Sequence, residues 1–405
     1  MISPTAGVYR RPRKPLGVIR KADVLGGLNP YLLFDAESSM IGTLENPTLD
    51  LDPAFPDTLD VITAVRAGVA TYTDASGLIQ EATANTVRVD HSLGYPAMLI
   101  EPSATNLLPN SSSFENVNGS INTTGFDAPD GSNDAQKISN INGATDPMVA
   151  WSSLATLSPS TQYSGSIFVK GTAGESIRFY LRRAYGGAMA NSPYLNVILD
   201  GSWQKVEMGS MTTASDNSNG RVFIFQASSG TPADEVYLWG AQIEAGSVST
   251  SYIPTSGSAV TRAADDLSIS GSAFSYFFNS GGDGTFYAEF TTRNPDGGFY
   301  VLAGHGSNQR YFYSNNGNIT LKGYDGSGGS LYPGGVQAGL NRASISYDSN
   351  TKTGSLNGSA DSTVAGTGDL QDSTRLSIGQ SWSSTTQLNG HLKRVLFWPT
   401  SSDRL

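Results

Sequence analysis

The clearest strand signal in the chain lies at residues 177–182, which read Ile177-Arg178-Phe179-Tyr180-Leu181-Arg182. Apolar and polar side chains alternate there. Because successive side chains of a strand point to opposite faces, Ile177, Phe179 and Leu181 are expected to share one face. Similar short runs recur on both sides, separated by clusters of Gly, Ser and Asn that favour turns. Many short strands at intervals of about 8–12 residues predict an all-β protein built from β-sandwiches of the jelly-roll type.

Composition narrows the chemistry. The chain has 405 residues, no Cys and three His, which excludes a disulfide framework, a thiol nucleophile and cysteine-ligated zinc and argues against a His-rich metal site. The formal net charge of −10 argues against nucleic-acid binding, because phosphate contacts need clustered cations. The sequence contains no apolar stretch of the roughly 18–20 residues that insert into a membrane. We therefore expect neither a nucleic-acid nor a membrane partner.

Charge is segregated at the start of the chain. Six basic residues come before the first acid, Asp23, and they are Arg10, Arg11, Arg13, Lys14, Arg20 and Lys21. Acids then occur from Asp23 to Asp60 without a Lys or Arg, in a stretch interrupted by prolines. Residues 1–60 are predicted to be an extended anchor that takes its shape from a partner surface, and a solvated tail is the alternative.

Three further regions follow the anchor. Residues 61–109 are predicted to be a β-rich connector with a hairpin turn at Asp74-Ala75-Ser76-Gly77, where Gly77 can adopt a positive φ. Residues 110–265 are predicted to form one jelly roll and residues 266–405 a second β-sandwich in tandem with it. The second sandwich is expected to close with the strand Val395-Leu396-Phe397-Trp398, which Pro399 stops.

Long stretches at both edges of the first jelly roll carry a resemblance. The first set reads Ala70-Thr71-Tyr72-Thr73-Asp74-Ala75-Ser76-Gly77-Leu78-Ile79-Gln80, Val87-Arg88-Val89-Asp90 and Leu99-Ile100-Glu101-Pro102-Ser103-Ala104-Thr105-Asn106-Leu107-Leu108. It resembles a module of tailed-bacteriophage structural proteins. The second set reads Trp239-Gly240-Ala241-Gln242-Ile243-Glu244-Ala245-Gly246, Thr250-Ser251-Tyr252-Ile253-Pro254-Thr255 and Thr261-Arg262-Ala263-Ala264-Asp265. It is similar to the end of the carbohydrate-binding-like jelly roll that follows that module.

The last region resembles a concanavalin-A/laminin-G-type lectin domain, whose closing strand is similar to Leu388-Asn389-Gly390-His391-Leu392-Lys393-Arg394. The resemblance implies a virion structural protein, assembled in the host cytoplasm. It would be a homotrimeric fibre that attaches through its N-terminus to capsid, portal-proximal or tail proteins and displays sandwiches to a host surface glycan. Two alternatives stay open: a capsid decoration or head-fibre protein with a purely architectural role, and a polysaccharide depolymerase.

The sequence offers little for catalysis. Glycoside hydrolysis needs two carboxylates across the scissile bond, and the lectin-like region has a single Glu, Glu289, without a strand-borne partner acid. The pair Asp50 and Asp52 has the right spacing but lies in the proline-interrupted segment. Nucleophile-elbow, phosphate-loop and dinucleotide motifs do not occur. We expect a non-enzymatic protein without a cofactor or metal, in which His305 lies in a loop.

Sugar binding needs aromatic faces with planar polar groups beside them. The candidates in the lectin-like region are Tyr324, Tyr332, Trp382, Asn315, Asn316 and Asp325. Their alternative role is in a core edge or subunit contact, and Trp151, Trp203 and Trp239 are interpreted as core or interface residues of the first jelly roll. A calcium site would draw on Asp283, Asp296 and Asp325, although solvated turns explain these acids as well.

Overall fold

The structure is a computed structural model that describes part of the chain. The described residues are 31–32, 43–44, 47–183, 192–215, 218–227, 229–278, 283–295, 297–304, 312–315, 318–320, 331–348, 350–359, 362–365, 373–381, 383 and 386–399. They form 32 strands, one 3-10 helix and one short α-helix, so the predicted all-β fold with two β-sandwiches is confirmed. None of the helices in these residues has the length and hydropathy of a membrane span.

Nine strands and the 3-10 helix (Pro56–Leu59) precede the first sandwich. They are β1 (Tyr31–Leu32), β2 (Thr43–Leu44), β3 (Leu49–Leu51), β4 (Thr63–Val65), β5 (Ala70–Thr73), β6 (Ile79–Ala82), β7 (Val89–Asp90), β8 (Ala97–Ile100) and β9 (Ala104–Asn106). β5 and β6 pair as the predicted hairpin, and Gly77 in its turn has φ +85°. A residue with a side chain would be strained at that angle, which explains the glycine.

The first sandwich contains the next twelve strands. They are β10 (Phe114–Asn116), β11 (Ile121–Phe126), β12 (Ala135–Ser139), β13 (Met148–Ser152), β14 (Ala155–Leu157), β15 (Gln162–Gly171), β16 (Glu175–Arg183), β17 (Leu195–Ile198), β18 (Gln204–Thr212), β19 (Ser218–Gln226), β20 (Thr231–Pro232) and β21 (Val236–Ala245). A seven-stranded sheet has the order β10-β13-β19-β16-β17, with β14 beside β19 and β20 beside β16. The facing sheet has the order β11-β12-β21-β15-β18.

The alternation of β16 decides which of its faces is buried. Ile177, Phe179 and Leu181 are fully buried in the core between the two sheets, as predicted, together with Val222 and Ile224 of β19. Burying large apolar side chains contributes about 1.5–3 kcal/mol each, so these positions fix the register of the strands. Arg178, Tyr180 and Arg182 therefore lie on the outward face.

The remaining strands and the helix α1 (Gly271–Phe277) follow, and all of these strands except the first, which pairs with β9, belong to the second sandwich. The strands are β22 (Val260–Arg262), β23 (Asp266–Ser270), β24 (Gly284–Thr292), β25 (Phe299–Gly304), β26 (Phe312–Asn315), β27 (Asn318–Thr320), β28 (Asn341–Tyr347), β29 (Thr351–Leu356), β30 (Ser362–Ala365), β31 (Arg375–Ile378) and β32 (Gly390–Trp398). The predicted closing strand forms the C-terminal part of β32, which lies inside its sheet between β24 and β8.

Strands from the first hundred residues complete this second sandwich. Its sheets have the orders β30-β29-β28-β24-β32-β8-β7 and β27-β26-β25-β31-β23-β4, and β3 also pairs with β32. Leu51, Met98 and Ile100 are fully buried in the same core as Phe286 and Phe397. The segment expected to be an extended anchor up to residue 60 thus contributes the strand Leu49–Leu51 to a folded sheet.

The first sandwich is consequently an insertion between two parts of the second. The chain leaves through β9 and returns through β22, and these strands pair antiparallel with Asn106 opposite Val260. A bridge between Asn110 and Ser256 extends the contact into the inserted domain. Two adjacent antiparallel connections hold an inserted domain more firmly than a single linker would.

Candidate functional site

The outward face of the seven-stranded sheet carries aromatic and arginine side chains in cross-strand rows. In one row Glu115 lies opposite Trp151, Trp151 opposite Phe223, and Phe223 opposite Tyr180. The neighbouring rows, on either side, place Phe225 opposite Arg178 and Arg221 opposite Arg182. We call this surface the aromatic–arginine face; it consists of Trp151, Arg178, Tyr180, Arg182, Tyr194, Arg221, Phe223 and Phe225.

The rings of this face contact one another. Tyr180 stacks on Phe223 with centroids 5.6 Å apart and meets Phe225 at 4.9 Å and Tyr194 at 4.6 Å. Trp151 meets Phe223 edge-on at 6.0 Å. Such pairs contribute about 0.5–1.5 kcal/mol each beyond their buried area, so the cluster is held in a defined shape on the sheet.

The guanidinium groups lie against these rings. Arg178 is 4.9 Å from the centroid of Tyr194 and 5.6 Å from that of Phe225. Arg182 lies over Phe223 at 5.7 Å, and Arg221 over Trp151 at 5.0 Å. Attraction between a cation and the ring quadrupole holds each guanidinium close to these rings.

Several members of the face are accessible. Tyr194, just before β17, is 57% exposed, and Ile198 at the end of β17 is 72% exposed. Trp151, Arg178 and Phe225 are partly exposed, whereas Tyr180 and Phe223 are buried beneath their neighbours. Trp151 is therefore an outward surface residue, in contrast to Trp239, which is buried in a core. Exposed rings on a rigid sheet, with planar donors beside them, have the composition of a sugar-binding surface.

Of the glycan-site residues predicted in the second sandwich, Tyr332 can be placed with its side chain, and it is 66% exposed. Asn315 ends β26, and its side chain is not described. The others, Tyr324, Trp382, Asn316 and Asp325, lie outside the described residues, as do His305, Asp296 and the six basic residues of the predicted anchor. Asp283 is exposed. These predictions stay predictions.

The aromatic–arginine face was only half visible in the sequence. The alternation in β16 placed Arg178, Tyr180 and Arg182 on one face, but β19 supplies the other half, and the sequence does not reveal the pairing of those strands. A usable signal was the residue type, because a solvent-facing strand position usually carries a small polar side chain rather than a large aromatic one.

Charged residues from the stretches that carry the resemblance meet, together with Arg66, at the junction of the two sandwiches. Arg88 Nη2 lies 2.9 Å from Glu101 Oε2 and 2.5 Å from Asp265 Oδ2, and Arg66 Nη1 lies 2.9 Å from Asp265 Oδ1. Arg262 Nη2 lies 3.5 Å from the same Glu101 oxygen. All five side chains are at most 2% exposed. We call this group the junction cluster.

The junction cluster connects the inserted first sandwich to the second sandwich. Ser251, on the segment that follows β21, donates to Glu101 through both its amide and its hydroxyl, at 2.6 Å each. Burial by itself raises the pKa of Glu101, but the charges of Arg262, Arg88 and Arg293 outweigh it and hold the pKa well below the usual range. Glu101 is thus a buried anion that needs its cations. The resemblance therefore rests on residues that shape the architecture.

Two cavities lie near the junction. One of about 350 Å³ is lined by Ser111, Asp130, Asp134, Trp239 and Tyr252, among others. Several of its polar groups are bonded to one another: Trp239 Nε1 donates to Asp134 at 2.6 Å, and the hydroxyls of Ser111 and Tyr252 lie 2.7 Å apart. A smaller cavity of about 80 Å³ lies at the junction itself. Among the described residues there is no group of three His, Asp or Glu side chains that could hold a metal ion.

Glu289 is engaged by three partners. It accepts from Lys393 Nζ at 2.8 Å and from the Tyr287 hydroxyl at 2.9 Å, and Arg342 lies 3.5 Å away. Burial raises the pKa of Glu289, but these contacts outweigh it and lower the pKa. A general acid for glycoside hydrolysis needs the opposite shift.

Comparison with known proteins gives structural similarities only. No family model and no curated protein matches the chain. Similar structures include the CBM22-1–GH10 modules of Clostridium thermocellum xylanase 10B, complexed with xylohexaose (TM-score 0.28, 15% identity, covering 39% of this chain and 30% of that one). Another is the CBM22-1–CBM22-2 tandem of Paenibacillus barcinonensis Xyn10C, with a TM-score of 0.27 and 12% identity, covering 73% of this chain and 98% of that one. A third is mouse laminin α1 LG4-5, with a TM-score of 0.24 and 11% identity, covering 73% of this chain and 88% of that one. The fold described above rests on this chain's own strand pairing.

Proposed function

We propose that the protein binds a glycan and that the aromatic–arginine face of the inserted sandwich is the binding surface. The observation that carries the proposal is the set of cross-strand rows in which Trp151, Phe225 and Tyr194 are accessible beside guanidinium groups. Rings pack against the apolar faces of sugars, and planar donors bind their oxygens. The rigid sheet beneath them lowers the entropy lost on binding.

A glycan array probed with the intact protein tests binding, and two tyrosine variants locate it. We expect Tyr194→Ala to weaken binding of the best glycan about fivefold or more, because it removes an exposed ring. Tyr332→Ala, at an equally exposed tyrosine of the second sandwich, should leave the affinity unchanged. Both sites are exposed, so folding should be unaffected. Loss of binding in Tyr332→Ala alone would move the site to the second sandwich, and an array without any bound glycan would refute the proposal.

We also propose that the protein is a component of a tailed-bacteriophage virion, most simply a fibre. This rests on the sequence resemblance at residues 70–108 and 239–265, and those residues build the junction between the sandwiches. On a particle, many weak glycan sites would act together and give a high avidity. Mass spectrometry of purified particles should find the protein, and light scattering of the free protein should give the mass of a homotrimer.

The predicted anchor is tested on the same particles. Removing residues 1–46 should leave both sandwiches intact and abolish incorporation. Normal incorporation of the shortened chain would show that the basic segment at residues 10–21 is not the anchor.

We further propose that the protein is not an enzyme, since the carboxylate of Glu289 is held ionised by its partners. Release of reducing sugar from a bound polysaccharide, abolished by Glu289→Gln, would contradict this.

A further inference from the structure

The aromatic–arginine face is cationic on a protein whose formal net charge is −10. Its rows contain Arg178, Arg182 and Arg221. Among the described residues of these rows, Glu115 is the single carboxylate; it lies at the edge, accepting from Trp151 Nε1 at 2.8 Å with Arg221 3.4 Å away. The distribution of charge on this face therefore runs against that of the whole molecule.

Arg178 differs in its partners from the arginines that form ion pairs. Eight arginines form ion pairs with carboxylates, namely Arg66, Arg88, Arg221, Arg262, Arg293, Arg342, Arg375 and Arg394. Arg178 contacts the rings of Tyr194 and Phe225 but pairs with no carboxylate of the described residues. A partly exposed guanidinium that contacts rings and no carboxylate of the described residues has donors for an external acceptor.

Arg182 and Arg221 add a second observation. They are directly opposite each other on β16 and β19, both on the outward face. Like charges in directly opposite positions of antiparallel strands destabilise a sheet. Three arginines of these rows share one carboxylate among the described residues, Glu115, and this excess of cations gives the face a positive potential. The arrangement favours an anionic ligand over a neutral one.

We propose that the glycan bound by this face is an acidic polysaccharide, in which sugar carboxylates pair with the guanidinium of Arg178. A carboxylate matches the planar fork of arginine and can accept two parallel hydrogen bonds. The adjoining rings of Tyr194 and Phe225 pack against the sugar that carries it. This inference rests on the proposed glycan-binding function and adds the charge class of the ligand.

The test compares acidic polysaccharides with their neutral forms on the same backbone. The full-length protein is run in affinity gels that contain polygalacturonate, alginate, hyaluronate or polysialic acid, each beside its carboxyl-reduced form. We expect retardation by at least one acidic polymer, loss of that retardation after carboxyl reduction, and weakening by high salt because the charges are screened. Equal retardation by both forms, or binding of neutral glycans alone, would overturn the acidic preference while leaving the proposed function intact. Binding of no glycan would overturn both.

Variants then assign the binding to the face. Arg178→Gln should weaken binding of the acidic polymer that retards the wild type about tenfold or more, because a hydrogen-bonded charge is lost. Arg178→Lys keeps the charge but lacks the fork of donors, so its affinity should lie between those of the wild type and Arg178→Gln. Arg342→Gln, at a half-exposed arginine of the second sandwich, is the matched control and should bind normally. Thermal unfolding verifies that each variant folds, and unchanged binding by folded Arg178→Gln would refute the assignment.

Discussion

The side chain of Asp90 shows how a single residue joins parts of the second sandwich that are distant in sequence. It lies on β7, where it accepts from Thr73 N at 2.6 Å, from Ser92 N at 3.0 Å and pairs with His391 Nε2 at 2.9 Å. Burial raises the pKa of Asp90, but the hydrogen bond and charge of His391, with the Ser92 and Thr73 bonds, outweigh it and lower the pKa from 3.8 to about 2. The ionised carboxylate is therefore favoured by the folded state.

Asp90 gives an acid dependence with a definite sign. Because the folded-state pKa is the lower one, its stabilisation is complete above pH 3.8 and is lost as the pH falls to about 2. Asp90→Asn should lower the free energy of unfolding at neutral pH by roughly 2 kcal/mol and flatten its pH dependence in that range. Urea titrations at several pH values measure this, with the exposed Asp60→Asn as control. An unchanged acid limb in Asp90→Asn would contradict the assignment.

Glu101 tests the junction cluster. Removing one partner of a buried ion pair leaves uncompensated charges, here those of Arg88 and Arg262, and costs about 3–5 kcal/mol. Glu101→Gln should therefore unfold at a clearly lower temperature than the wild type, whereas exposed Glu81→Gln should not. Calorimetry distinguishes the two, and a wild-type transition temperature in Glu101→Gln would show that the cluster contributes little.

At the scale of elements, the sequence revealed local strands but not their partners. The alternation at residues 177–182 and the hairpin at Asp74–Gly77 were readable because both depend on near neighbours. The pairing of β3 with β32 was not readable, since Asp50 and Arg394 in those strands lie 344 residues apart. The aromatic–arginine face was missed for the same reason, because β19 completes it. The pairing of strands that are distant in sequence leaves no periodic pattern of residues from which it could be predicted.

The strand β3 makes a prediction about where the chain can be shortened. Leu49 and Leu51 lie opposite Phe397 and Val395, and Asp50 accepts two hydrogen bonds from Arg394. Removing residues 1–46 should leave the free energy of unfolding unchanged. Removing residues 1–60 deletes three core leucines, Leu49, Leu51 and Leu59, and should lower it by roughly 4 kcal/mol or more, or abolish folding. Denaturant titration compares the two, and equal stabilities would contradict the role given to β3.

For the whole molecule, the insertion explains how one chain presents a binding sheet on a stable base. The second sandwich, which is the host of the insert, is assembled from residues on both sides of it. The junction cluster also combines residues that precede the insert with residues that follow it. The inserted sandwich has its own core, which includes Phe179, Ile224 and Ile243. Two cores with adjacent connections predict two separable folding units.

Excision of the insert tests this organisation. Because Asn106 and Val260 lie opposite each other, a short Asn-Gly turn replacing residues 107–259 should close the host sandwich. We expect the shortened chain to fold, with a lower stability because Glu101 loses its bonds from Ser251. Circular dichroism and size-exclusion chromatography measure the outcome. An unfolded or aggregated product would mean that the host sandwich depends on the insert.

The placement of the glycan on the inserted sandwich is tested most directly by tryptophan fluorescence. Trp151 lies in the aromatic–arginine face, whereas Trp382 belongs to the region of the site predicted from sequence in the second sandwich. The full-length protein is titrated with the glycan that it binds best. We expect a saturable fluorescence change that disappears in Trp151→Phe and persists in Trp382→Phe. A change that persists in Trp151→Phe and disappears in Trp382→Phe would contradict this placement.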